Sequence, residues 1–169
     1  AYGPQKRRGF VREQHTFAPV YDENSEVLIL GTMPSVKSRE VGFYYGHPQN
    51  RFWRVLAGVF GENVPGDTQG RKDYLLAHRV ALWDVVASCE IIGSSDASIK
   101  DVTVNDIKGI LEKSPVSRIY ANGRTAEKLY LRHVRPITGI DITVLPSTSP
   151  ANAAATLQEL VRVWSVIRP

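Results

Sequence analysis

Cysteine is almost absent from this chain: Cys89 stands alone among 169 residues. No internal disulfide can form, and no cysteine-based zinc site can be assembled. The four histidines, His15, His47, His78 and His133, show neither HxxxH nor HxH spacing, so no metal site is expected. His78 and His133 end helical patterns, where a cation suits the helix dipole. Walker, Rossmann and serine-hydrolase fingerprints are all missing. No apolar run approaches the ~20 residues that span a bilayer. Lys6, Arg7 and Arg8 are not followed by the apolar stretch of a signal peptide. The expectation is therefore a cytoplasmic protein in a reducing setting, with no membrane association. The excess of one charge over the other is also small: the formal net charge is +4 and the pI about 9.3. That balance suits a polyanionic partner without demanding one.

What is present reads as one α/β domain over 17–169, after a mobile start at 1–16. Val27–Leu30 is a buried strand that stops at Gly31. Phe52, Leu56, Val59 and Phe60 recur at helical spacing, and Asn50 is a good N-cap for that helix. A second helix runs over Thr68–His78, and Val80–Val86 is a second strand. A long loop follows at Ser88–Val104. Asn105 caps a helix to Lys113. Arg118–Ala121 is a third strand, followed by a helix from Arg124 to His133. Ile140–Leu145 is a fourth strand, and Ala151–Ile167 the last helix. The segment HTFAPVY is expected to cover a sheet edge. Strands alternating with helices predict parallel pairing. The expected fold is a three-layer α/β/α sandwich with about four parallel strands.

In such a sheet, the loops after the carboxyl ends of the strands share one edge, where ligand chemistry sits. Four loops qualify: GTMPS, the loop after LWDVV, ANGRT and PSTSPAN. Between the first strand and its helix lies a cluster of Phe43, Tyr44, Tyr45, His47, Asn50, Phe52 and Trp53. Flat apolar faces beside hydrogen-bonding groups suit a planar, polar heterocycle. The plainer reading makes most of these aromatics core.

GTMPS after VLIL, GHPQNRFW further on, and PSTSPAN near the end together resemble the uracil-DNA glycosylase superfamily. The likeness is greatest to its hypoxanthine-DNA glycosylases, and it runs from about Phe17 to the C-terminus. GHPQNRFW carries most of the specificity. The resemblance implies a monofunctional glycosylase that excises hypoxanthine from damaged double-stranded DNA, needs no cofactor or metal, and works as a monomer. Acceptance of single strands stays open.

The resemblance also distributes roles. Met33 stands where most relatives hold an Asp or Asn that orients water, and Met can do neither. The role moves to Asn50, which positions water without deprotonating it. That is workable for a dissociative, oxocarbenium-like transition state. Met33, Tyr45 and Asp84 line the base pocket. Tyr45 stacks on the extruded base, with Tyr44 and Phe43 as rivals. Asp84 stands where many relatives have Asn, and it accepts from N1–H of hypoxanthine. Its plainer reading is a capped or paired strand-end carboxylate. Ser35, Ser147, Ser149, Pro150, Asn152 and Arg124 contact DNA, the serines through phosphates beside a helix N-terminus. Lys37 and Arg39 either contact DNA or are simply solvated. Three other functions compete: a uracil or mismatch glycosylase, a non-catalytic nucleic-acid-binding relative, and an enzyme of free nucleosides.

Overall fold

The computed structural model describes residues 9–169. In chain order its strands are Val11–Gln14 (β1), Val27–Gly31 (β2), Val80–Asp84 (β3), Val86–Ile91 (β4), Lys100–Val104 (β5), Arg118–Asn122 (β6) and Ile142–Leu145 (β7). Its helices are Val36–Val41 (α1), Phe52–Phe60 (α2), Thr68–Ala77 (α3), Ile107–Lys113 (α4), Arg124–His133 (α5), Arg135–Thr138 (α6) and Leu157–Trp164 (α7).

The apolar run of β2 is buried along its whole length, because it is central in a sheet covered on both faces. The order is β3-β2-β6-β7, and every pairing is parallel. Alternate residues feed opposite cores, as the two-residue period of a strand requires. Val27, Ile29, Val80 and Leu82 pack against Phe52, Leu56, Leu75, Leu160 and Trp164 of α2, α3 and α7. Leu28, Leu30, Ala81 and Ile119 pack against Ile107 of α4, Tyr130 of α5 and Val134. The expected three-layer sandwich with four parallel strands is what forms. Val20 exchanges two backbone hydrogen bonds of 2.9 Å with Leu82. The HTFAPVY segment thus covers the β3 edge, as its pattern suggested. Among the described residues, no helix is long and apolar enough to cross a membrane.

Several expectations change. First, Val80–Val86 is not one strand. The Val85 N–H donates to the Gly31 carbonyl at 2.9 Å, and the Val86 N–H to the Thr32 carbonyl at 3.1 Å. These bonds carry the chain past the end of β2 and into a second sheet of order β1-β4-β5. The expected loop at Ser88–Val104 is mostly a β4–β5 hairpin. Its turn centres on Gly93 at φ +58°, which glycine adopts without penalty.

Second, part of the expected mobile start is ordered. Val11–Gln14 pairs with Ser88–Ile91; residues 1–8 of that segment lie outside the described residues. Third, the last helix begins at Leu157 and not at Ala151. Thr156 and Glu159 close a capping box, with bonds of 3.1 and 3.2 Å. It satisfies N–H groups that an alanine start would leave open. Likewise Asp106, and not Asn105, caps α4. Asn105 instead donates to the Asp84 and Val86 carbonyls at the point where the chain changes sheets.

Candidate active site

The carboxyl ends of β2, β3, β6 and β7 meet at one cavity of about 830 Å³, within the usual ligand-pocket range of about 300–1,000 Å³. Met33 and Ser35 line it from the loop after β2, Asp84 from the end of β3, and Asn122 from the end of β6. Residues 147–152 line it from the loop after β7, and Tyr45, His47 and Asn50 from the segment before α2. The β4–β5 turn adds a wall that the sequence pattern did not suggest, through Ser94, Ser95 and Asp96.

Asn50 sits at the start of α2, where the Phe52 N–H donates to its Oδ1 at 2.9 Å. Arg51 occupies the N-cap position and makes no side-chain cap bond. The Asn50 Oδ1 also accepts from the Thr148 hydroxyl at 2.9 Å. A backbone N–H can only donate, so the amide orientation follows from the chemistry. Both lone pairs of Oδ1 are thus occupied. Nδ2 has no protein partner among the described residues. Asn50 can therefore donate to a water oxygen but has no lone pair left for a proton.

Thr148 is fully buried. Its N–H donates to Asn122 Oδ1 at 3.0 Å, and its Oγ1 accepts from Asn122 Nδ2 at 3.0 Å. Asn122 Nδ2 also donates to the Tyr45 hydroxyl at 3.2 Å. One polar chain thus ties α2, β6 and the loop after β7 together. Tyr45 lies half-buried at φ +52°, a strained conformation for a non-glycine residue. Phe52 stacks on its ring at 4.0 Å and 20°. Burial, and then the Asp84 carboxylate, push the Tyr45 hydroxyl well above its ordinary pKa, against a smaller lowering by Asn122. It stays protonated. Having accepted from Asn122, it keeps its own proton to donate. The rivals Tyr44 and Phe43 are buried in the core; Tyr44 also borders the cavity, but its hydroxyl is taken up by the Ala18 carbonyl at 2.8 Å.

Asp84 is 3% exposed. His15 lies 2.8 Å from it, Nε2 to Oδ2, and Phe17 N–H donates to His15 Nδ1 at 3.2 Å. The other carboxylate oxygen, Oδ1, faces Gly31. A Cβ at Gly31 would lie 2.3 Å from that oxygen, so only glycine lets the strand end pass so close to the carboxylate. At the rim, shielding of its carboxyl and the nearby Asp84 charge push Asp96 up to about 6, with Thr32 pulling the other way. Met33 fills a gap against Val86, Cys89 and Ile91 while bordering the cavity.

The proposed DNA-contacting residues divide. Ser147 Oγ accepts from the Ser149 N–H at 3.1 Å, and Ser149 Oγ accepts from the Ala151 N–H at 3.2 Å. Each hydroxyl keeps its own proton for an outside acceptor. Ser35 has already donated its proton to Ser38 Oγ at 3.1 Å while capping α1. Pro150 is exposed at the loop tip. Asn152 holds that loop, its Nδ2 donating to the Ser147 carbonyl at 3.0 Å. Because α7 starts only at Leu157, its dipole does not act directly on Ser147 or Ser149. Arg124 opens α5, exposed and outside the cavity lining. Arg39 is used internally, on the Pro34 carbonyl at 2.9 Å and on Glu13 at 3.7 Å. Lys37 pairs with Glu40 on the surface.

Four residues in this arrangement had no role in the sequence reading: His15, Arg51, Asn122 and Thr148. Arg51 donates to the Ala155 and Asn152 carbonyls and clamps the loop after β7. Thr148 and Asn122 lay inside motifs already singled out, PSTSPAN and ANGRT. His15 gave no signal beyond being a histidine. Among the described residues no cluster of three or more His, Cys, Asp or Glu could hold a metal ion.

A family model described as the uracil DNA glycosylase superfamily matches residues 18–168. A hypoxanthine DNA glycosylase of Methanosarcina acetivorans is 41% identical over 138 residues, covering 80% of this chain and 86% of that protein. A hypoxanthine DNA glycosylase of Methanosarcina barkeri is 36% identical over the same shares. The solution NMR structure of a Methanosarcina acetivorans protein proposed to be a uracil DNA glycosylase superposes with a TM-score of 0.78. That similarity carries 35% identity and covers 93% of this chain and 96% of the other.

Proposed function

The chain belongs to the uracil-DNA glycosylase superfamily, and on that premise we propose that it is a monofunctional DNA glycosylase excising hypoxanthine, the deamination product of adenine, in base excision repair. The observation that carries this reading is the buried Asp84, which lines the cavity and has one carboxylate oxygen not taken up by His15. Hypoxanthine presents N1–H to such an acceptor, whereas adenine presents a lone pair. Similarity to two hypoxanthine DNA glycosylases supports the same substrate.

The extruded base stacks on the face of Tyr45 that Phe52 leaves open and donates N1–H to Asp84. Met33 closes the apolar side. Asn50 Nδ2 holds a water against the sugar C1′. The C1′–N9 bond breaks first, giving an oxocarbenium-like sugar that DNA phosphates stabilise. Water then adds its oxygen to C1′, and its proton leaves by way of solvent as the base takes one up. Free hypoxanthine and an abasic site result. No amine attacks C1′, so the strand is not nicked.

The partner is damaged duplex DNA, whose mispaired inosine is less costly to extrude than a normally paired base. Ser147, Ser149, Pro150 and Asn152 meet its backbone and the gap left by the flipped base, with Ser35 and Arg124 at the margins. The cavity is lined by residues of a single chain, which suits an enzyme acting as a monomer inside the cell where the DNA is.

The decisive assay incubates the protein with a duplex holding one deoxyinosine, then adds alkali. Strand breakage only after alkali, with free hypoxanthine released, is expected. An intact strand would refute the reading, and breakage without alkali would refute the monofunctional part. Uracil-containing duplex and free inosine serve as parallel substrates for the competing assignments.

Backbone binding has its own test. Ser149→Ala is expected to weaken binding of lesion-containing and undamaged duplex alike, by roughly 2- to 10-fold. Affinity should fall with added salt as counterion release requires. Titrations in which Ser149→Ala binds like the parent would remove that hydroxyl from the interface.

A further inference from the structure

We infer that His15 is a positioning residue for base selection: it occupies Asp84 Oδ2, so that Oδ1 alone is presented to the base as an acceptor. The inference rests on the hypoxanthine reading above and adds a residue that contacts no substrate itself.

The geometry fixes the chemistry at both ring nitrogens. Nδ1 of His15 accepts from the Phe17 N–H at 3.2 Å, so Nδ1 carries no proton. An imidazolium would set N–H against N–H there. The ring is therefore neutral, with its proton on Nε2. Nε2–H donates to Asp84 Oδ2 at 2.8 Å, which fixes Oδ2 as the acceptor of this bond and holds the carboxylate from turning. A carboxyl group free to turn would show the base either a lone pair or an O–H. With His15 holding Oδ2, the group is fixed and Oδ1 is the acceptor left for the base.

The pair is dry and rigid. The His15 side chain is 1% exposed and that of Asp84 5%. The imidazole packs edge-on against Phe17 at 5.7 Å and beside Tyr44 at 5.9 Å. The His15 N–H donates to the Ala87 carbonyl at 2.7 Å, one residue beyond the β1–β4 ladder. The small antiparallel sheet therefore has a use. It carries an N-terminal residue to the carboxylate at the end of β3, in the other sheet. Buried hydrogen bonds to a charged group are costly to lose, because the charge is then left underpartnered.

The test compares the full-length parent, His15→Ala and His15→Gln. Single-turnover excision is measured for hypoxanthine and for adenine, each opposite cytosine. Nitrogen-15 NMR reads the His15 tautomer in the free parent. Gln reaches Asp84 with an amide N–H where the imidazole placed Nε2–H. His15→Ala is expected to lose about 10- to 100-fold in hypoxanthine excision, and its preference over adenine should narrow. His15→Gln should recover most of both. NMR should show Nε2–H and a bare Nδ1 at neutral pH.

Parent-like rate and preference in His15→Ala would overturn the inference. So would a folded His15→Gln as defective as His15→Ala, or an Nδ1–H or doubly protonated ring. If His15→Ala fails to fold, the Gln variant and the tautomer still decide. If the parent releases no hypoxanthine, the substrate reading falls instead, and the tautomer alone tests the His15–Asp84 geometry.

Discussion

Asn50→Ala is expected to lower single-turnover excision of hypoxanthine by about 10²- to 10³-fold, the usual cost of removing one preorganised donor from an active site. Lesion binding should be largely kept, because Asn50 acts on water and not on the base. The same change removes the acceptor of the Phe52 N–H and of the Thr148 hydroxyl. Helix α2 therefore also loses roughly 0.5–2 kcal/mol of capping. Thermal unfolding of the variant separates that loss from the chemical one. Asn50→Asp sharpens the test. It preserves both accepted bonds and replaces Nδ2 with a third acceptor site. If donation from Nδ2 is what matters, Asn50→Asp is as stable as the parent yet slow. Parent-like cleavage by Asn50→Asp would show that Nδ2 is dispensable, and parent-like cleavage by Asn50→Ala would remove the residue from the mechanism.

The second large effect is expected at Asp84. In Asp84→Asn, His15 Nε2–H still needs an acceptor where Oδ2 was. The new amide meets it with its oxygen and turns its NH₂ toward Gly31 and the cavity. The base then faces a donor in place of an acceptor. Hypoxanthine N1–H loses its partner and meets another N–H. Excision should fall about 10- to 100-fold, the cost of an unsatisfied buried polar group. Adenine N1 gains a partner, so discrimination against adenine narrows, and uracil carbonyls gain one too. Guanine shares N1–H, so this contact does not reject it. Rates on hypoxanthine, adenine and uracil in otherwise identical duplexes check the shift. An unchanged hypoxanthine rate with unchanged selectivity would make Asp84 purely structural.

These two residues show how far a linear reading reaches. Asn50 was legible as a functional candidate from GHPQN, and as a helix cap from its place before an amphipathic run. Its second partner, Thr148, was not legible. Ser147 and Ser149 looked like the useful hydroxyls of PSTSPAN, and only burial distinguishes the one between them. Asp84 was legible as a carboxylate misplaced on an apolar strand. Its partner His15 lies 69 residues earlier, in a stretch whose polarity and proline content resembled a mobile start.

The sequence by itself determined the central sheet. Buried β-branched runs at regular intervals, separated by amphipathic helices and Gly or Pro stops, allow few arrangements other than a parallel sheet covered on both faces. Local chemistry also decided that the loops at one sheet edge would hold the site. Tertiary structure alone decided the second sheet, because β1, β4 and β5 are short, half-exposed strands with weak periodicity. They become strands only by pairing with segments that are distant in sequence. It also decided the hydrogen-bond chain of Asn50, Thr148, Asn122 and Tyr45, and the contact of His15 with Asp84. Periodicity records which face of an element is apolar, and carries no term for the direction of a lone pair or for a partner brought close by another strand.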